Sequence, residues 1–214
     1  MKQDLIKAWS TSFYIFENEE HEKYKEEILD YLYDLKGTGE CSYAVAGAAK
    51  GGNLFETDFK LFQTGSEKYE GIKQIHDFCH ESVGEVVINK NEMVPPNSAV
   101  LILDSWAHIT NDGGFHDVHN HPNCSWCGIY CVERGNSSHK NKNGVNRFYS
   151  PLNTSMVDAG NYYLQAAAWD WEPKDGNLLV FPSYLMHSAL PYSGDIDRIV
   201  ISFNSTTVVQ QEAV

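Results

Sequence analysis

Val118-His119-Asn120-His121-Pro122 is the stretch on which the reading of this chain turns. Two histidines two positions apart on an extended segment point to the same side, because side chains alternate with period 2. Placed so, they can grip one metal ion from one strand. A third ligand then needs a fold that brings the chain back, and an all-β barrel does that. His187 fits this role at the end of Phe181-Pro182-Ser183-Tyr184-Leu185-Met186-His187. Arg198 follows at the head of Arg198-Ile199-Val200-Ile201-Ser202-Phe203-Asn204. A guanidinium meets a carboxylate with two parallel hydrogen bonds and keeps its charge when buried. It therefore suits a carboxylate that itself binds the metal. The order points to a metal-dependent oxygenase that uses a small dicarboxylic acid.

Around this stretch the texture is β. Ala99 to Thr110 is strand-like, and Asn111-Asp112-Gly113-Gly114 reads as a turn. Short runs follow at Ser125 to Val132, Val145 to Tyr149, Asn161 to Ala166, Asn177 to Phe181 and Asp197 to Phe203. Short strands separated by Gly, Asn, Asp and Pro predict a sandwich or barrel. The polar stretch Arg134 to Asn146 reads as a mobile insertion. Upstream, Ile28, Tyr31, Leu32 and Leu35 lie at i, i+3, i+4 and i+7 in a charged segment over 17–36, which predicts an amphipathic helix. A second helix is predicted over 67–85, with Tyr69, Ile72, Ile75, Phe78 and Cys79 as its apolar positions. Residues 37–54 read as loop. The fold class expected is mainly β with flanking helices (α+β). A helical and extended part over 1–97 should pack on a β core over 98–214, with the seam at Pro95-Pro96.

The 214 residues are 42% hydrophobic and 13% aromatic, enough for one large domain with a real core. A net charge of -13 argues against a nucleic-acid backbone as a generic partner, since nothing neutralises phosphates over a broad patch. No run approaches the roughly 20 apolar residues that span a bilayer, and Met1-Lys2-Gln3-Asp4-Leu5 lacks a signal-like apolar stretch. A cytoplasmic protein is expected. The five cysteines are Cys41, Cys79, Cys124, Cys127 and Cys131, and an odd, clustered set argues against structural disulfides.

A 2-His-1-carboxylate triad with open positions is the usual non-haem Fe(II) oxygenase site. Here the middle position holds His121, so three neutral imidazoles would bind the ion. Asp117 forms an alternating pair with His119. It is an alternative source of the carboxylate, or an acceptor that fixes a histidine tautomer. A competing structural zinc site would draw on His119, His121, Cys124 and Cys127, with Cys131 nearby. It is weakened by having all its ligands in one short segment. Trp126, Trp169, Trp171 and Tyr184 are candidates to line a substrate cleft.

The segment from Trp106 to Asn204 resembles the Fe(II)/2-oxoglutarate-dependent dioxygenases with a double-stranded β-helix (jelly-roll) core. It is most similar to a group of oxygenases common in phage and marine bacterial genomes and distantly similar to prolyl 4-hydroxylases. The residues that carry the resemblance are Trp106-Ala107-His108-Ile109, His119-Asn120-His121-Pro122, Cys127-Gly128-Ile129-Tyr130-Cys131-Val132, Gly176-Asn177-Leu178-Leu179-Val180-Phe181-Pro182 through His187, and Arg198-Ile199 through Asn204.

The resemblance implies that His119, His121 and His187 hold Fe(II). It also implies that Arg198 binds the distal carboxylate of 2-oxoglutarate. The cofactors expected are Fe(II), 2-oxoglutarate and O2, and the reaction is hydroxylation of a C–H bond with decarboxylation of 2-oxoglutarate to succinate. Cys131 stands where the family strand has its second tyrosine, so Arg198 needs another partner for that carboxylate, with His108 or Tyr130 as the substitute. No catalytic residue is expected beyond the metal ligands. The substrate expected is a small molecule or a peptidyl group, and exposed edge strands suit a homodimer. A phage-encoded enzyme would act in its host's cytoplasm. Two rivals remain at this point: a three-histidine cupin-type dioxygenase, which would not need Arg198, and a non-catalytic jelly-roll binding module.

Overall fold

The last strand shows how sequence alternation builds this molecule. In Arg198–Val209, Ile199, Ile201 and Phe203 turn to one face of the sheet and pack with buried helix residues, while Val200 joins a second cluster on the other face. The period of 2 thus sorts one strand between two interiors. The structure, a computed structural model, describes residues 11–38, 50–90, 94–95, 97–151 and 167–209.

In chain order the elements are β1 (Tyr14–Glu17), α1 (His21–Thr38), β2 (Lys50–Glu56), α2 (Leu61–Gly65), α3 (Glu70–Lys90), β3 (Ser98–His119), β4 (Trp126–Glu133), β5 (Asn146–Tyr149), β6 (Ala168–Trp171), β7 (Asn177–Pro182), β8 (His187–Tyr192) and β9 (Arg198–Val209). The strands run β1-β7-β4-β9-β3-β8-β5-β6, with β2 also paired to β3. Every pairing of these strands is antiparallel. β3 is the hinge of the design. Its first half pairs with β9 from Ser98 to Thr110, and its second half pairs with β8 from Gly114 to His119. One long strand therefore belongs to both walls, and the sheet curls into the jelly-roll core expected from the resemblance.

The predicted helices form and lie on the outside of the sheet. Ile28 and Leu32 of α1 meet Ile72, Ile75, Cys79 and Val83 of α3, and this layer packs on Ala107, Ile109, Tyr130, Leu178 and Ile201. Each fully buried aliphatic side chain of this kind contributes about 1.5–3 kcal/mol. The inner cluster holds Cys127, Ile129, Cys131, Phe148, Leu179, Phe181 and Val200.

Several elements depart from the sequence reading. Asn111 to Gly114 does not end the strand. Asp112 and Gly113 take positive φ, 45° and 78°, and make an irregularity that β3 passes through. Part of the loop read over 37–54 is strand β2, which gains its backbone partners from β3. Residues 134–146 are tied down rather than loose: the Arg134 guanidinium donates to the Ser137 carbonyl at 2.8 Å, and Ser138 and Asn143 form a bridge. The run Asn161 to Ala166, like Cys41, lies outside the described residues.

Candidate metal centre

The irregularity in β3 and its pairing with β8 bring the histidines together. His119 stands directly opposite His187 in the β3/β8 register. His121 lies just past the strand end, held by its backbone N–H donating to the Ser183 carbonyl at 3.2 Å. One coordinating nitrogen from each of His119, His121 and His187 lies within 4.8 Å of the others. The Nε2 atoms of His121 and His187 are 3.3 Å apart. Two nitrogens each about 2.1 Å from one ion sit about 3.0–3.5 Å apart, so this pair already has the spacing of neighbouring ligands.

Second contacts choose which nitrogen faces inward. His187 Nδ1 is 3.0 Å from the Leu185 carbonyl and His119 Nδ1 is 2.7 Å from the Asp117 carbonyl. An Nδ1–H donated to a carbonyl leaves the Nε2 lone pair free for a metal. Rings hold the imidazoles in place. Phe181 meets His187 edge-on at 4.8 Å, Phe148 stacks on it at 5.6 Å, and Trp106 lies 5.7 Å from His121. Burial, followed by the neighbouring imidazoles, keeps His121 down at about 3 and His187 well below its ordinary value. All three are neutral at physiological pH and fit a metal by their donor chemistry.

Arg198 enters the same cavity, which has a volume of about 710 Å³. It is 2% exposed, and its Nη2 donates to Asn146 Oδ1 at 2.6 Å. Its Nε is a buried donor without a partner, and among the described residues it meets no carboxylate. Burial lowers its pKa. A buried cation lacking a counter-ion is expensive to maintain. It is the feature expected of a site made to receive an anion, and a 2-oxoglutarate carboxylate fits it.

The other candidates divide. His108 lines the cavity, but its Nε2 is 2.6 Å from the Glu56 carboxylate. Tyr130 is not brought to the cavity. Asn18 Nδ2 donates to its hydroxyl at 3.0 Å, and that hydroxyl lies 2.8 Å from His21 Nδ1, on the helix-covered face. The reason is parity: Cys127, Ile129 and Cys131 share the inner face of β4, and Tyr130 must take the other. The Asp117 carboxylate accepts from the Val118 N–H at 2.7 Å and belongs to no ligand cluster. It is the Asp117 backbone carbonyl that orients His119. The thiols of Cys124 and Cys127 are 3.7 Å apart, yet no cysteine joins a metal-ligand cluster among the described residues. Of the aromatic residues expected at a cleft, Trp126, Trp169, Trp171 and Tyr184 all lie outside the cavity lining. Phe59, Trp106, Phe181 and Phe203 are there instead. Asn146, Glu56 and His116 were not singled out as site residues, although His116 directly precedes the Asp117-x-His119 pair in the same strand.

Residues 104–204 match the family described as "Putative 2OG-Fe(II) oxygenase". No curated protein sequence matches the chain. Among solved structures, a prolyl 4-hydroxylase from Pseudomonas putida superposes with a TM-score of 0.57 at 12% identity, covering 91% of this chain and 93% of its own. A prolyl hydroxylase from Trichoplax adhaerens, solved with a hypoxia inducible factor peptide, gives 0.60 at 15% identity over 90% of this chain and 82% of its own. The viral collagen prolyl hydroxylase of Paramecium Bursaria Chlorella virus-1, in complex with 2OG, gives 0.53 at 12% identity over 90% and 94%.

Proposed function

We propose that the chain is a 2OG-Fe(II) oxygenase, a reading supported by the family match over residues 104–204 and by the likeness of its fold to prolyl hydroxylases, that His119, His121 and His187 hold the Fe(II), and that Arg198 receives the distal carboxylate of 2-oxoglutarate. The observation that carries this reading is the buried guanidinium of Arg198, partnered by a neutral amide and short of an anion, in the cavity that also holds the histidine cluster. A non-catalytic binding module has no use for that charge, and a three-histidine dioxygenase that uses no keto acid has none either.

When bound, Fe(II) with 2-oxoglutarate and O2 supplies the oxidation: 2-oxoglutarate, O2 and a substrate C–H give succinate, CO2 and an alcohol. The chain's residues do the rest. His119 and His187 present Nε2 because backbone carbonyls take their Nδ1–H groups. Arg198 sets the orientation of the keto acid, with Asn146 holding the guanidinium in place. Phe148, Phe181 and Trp106 pack around the imidazoles and keep water from them. His108 is engaged by Glu56 and Tyr130 faces away, so the carboxylate falls to Arg198 and its neighbour Asn146. No helix among the described residues is long and apolar enough to cross a membrane. We place the enzyme in the cytoplasm, acting on a small molecule or a peptidyl group.

The test is succinate formation from 2-oxoglutarate by anaerobically Fe(II)-loaded protein exposed to oxygen, beside His187→Ala. Succinate that requires Fe(II) and vanishes in the variant supports the assignment. Iron-independent or His187-independent turnover removes it.

A further inference from the structure

The cavity contains a second set of metal-binding donors. Glu56, His108 and His116 each offer a ligand atom, and these atoms lie within 4.8 Å of one another. All three side chains are buried, at 5%, 9% and 8% exposure, and all three border the same cavity as His119, His121 and His187. The fold sets them there by register. Glu56 on β2 stands directly opposite His108 on β3, and His116 returns from the far side of the irregularity at residues 111–114. The Glu56 carboxylate and His108 Nε2 are already 2.6 Å apart. The His116 ring lies 5.5 Å from that of His108 and 4.2 Å from that of His119.

We propose that Glu56, His108 and His116 form a second divalent-metal site beside the three-histidine centre. Its donor set, two imidazoles and one carboxylate, suits borderline ions such as Zn(II), Co(II), Mn(II) or Fe(II). Binding needs little rebuilding. An ion held between Glu56 and His108 would be within reach of the His116 imidazole. The carboxylate missing from the first cluster is present in the second, so the two centres differ in charge. A second ion held there would add a Lewis-acid position on the wall of the cavity that also borders the three-histidine cluster. This assignment goes beyond the oxygenase reading and does not depend on turnover.

The experiment is metal stoichiometry on chelator-stripped protein, by equilibrium dialysis against Co(II) under anaerobic conditions and elemental analysis. Wild type should hold two equivalents. Glu56→Gln should hold one, His187→Ala should hold one, and the double variant essentially none. A wild-type stoichiometry of one that Glu56→Gln retains overturns the proposal, as does a Glu56→Gln variant that still holds two. Loss of the His187-dependent equivalent alone would count against the oxygenase centre and leave the second site standing. If Glu56→Gln does not fold, anomalous diffraction from zinc-loaded wild-type crystals decides instead. A peak enclosed by Glu56, His108 and His116 supports the site, and a single peak at the three histidines overturns it.

Discussion

Replacing Arg198 with methionine separates two things that a structural ion pair would keep together: stability and cosubstrate affinity. In this chain the guanidinium is 2% exposed and has one side-chain partner, Asn146. Methionine is apolar and of similar length, and it removes a buried charge that no carboxylate balances. What the fold loses is one neutral-acceptor hydrogen bond, about 1–3 kcal/mol. What it gains is relief from burying the ion, which substitution of buried ions by apolar residues shows to be about 1–4 kcal/mol. The two nearly cancel, so the variant without ligand should melt close to wild type.

Binding should behave differently. Two charge-assisted hydrogen bonds to a carboxylate contribute about 1.5–3 kcal/mol each. At 1.4 kcal/mol per factor of ten, their loss weakens 2-oxoglutarate by about 10²–10⁴-fold. Anaerobic calorimetry with Mn(II) in place of iron reads this directly. Thermal melts give a second reading: wild type at 100 times its Kd should gain about 2.7 kcal/mol, some 5–10 °C at this size, and the variant almost nothing. Unchanged affinity would refute the reasoning. So would a variant that loses its fold without ligand, since that would make Arg198 a structural residue.

Three further outcomes follow from particular contacts. Tyr130→Phe should leave 2-oxoglutarate affinity unchanged while lowering stability by about 1 kcal/mol, because its hydroxyl serves Asn18 and His21 on the helix-covered face; calorimetric binding beside a denaturant melt checks both halves. Gly128→Ala should cost about 1–3 kcal/mol by overpacking, since a Cβ there would overlap the ring of Phe203 on the paired strand, and Phe203→Leu in the same background should recover part of it in a urea melt. Asp170, held down at about 2 mainly by its hydrogen bond from Arg147, should stabilise the fold above pH 4 and lose that contribution as pH falls towards 2; wild type should lose stability in that window relative to Asp170→Asn, as acid titration of the melting temperature would reveal.

What could be read from the sequence and what could not have the same physical origin. His119, His121, His187 and Arg198 could be singled out together because each sits in a short signature of its own, and the fold brings those pieces to one cavity. The helices were legible because Ile28 and Leu32, or Ile72, Ile75 and Cys79, repeat at helical spacing and are buried. Tyr130, offered as a partner for the Arg198-bound carboxylate, does not line the cavity, and its own strand shows why. Cys127, Ile129 and Cys131 alternate with it, so the position of the family's second tyrosine, Cys131, faces inward and Tyr130 cannot stand in for it.

Glu56 and His116 were hidden for a different reason. Their meeting depends on β3 running on through Asp112 and Gly113 and on β2 pairing along both sides of that irregularity. Local sequence reads Asn-Asp-Gly-Gly as a stop, because positive φ is what those residues favour. A bulge uses the same residues to continue a strand with an altered register. Only the backbone partners decide between the two, and those lie in β2 and β8, far along the chain. The bulge that defeated the strand prediction is therefore the same feature that brings His116 back towards His108, while further shifts in the β3/β8 register set His119 opposite His187.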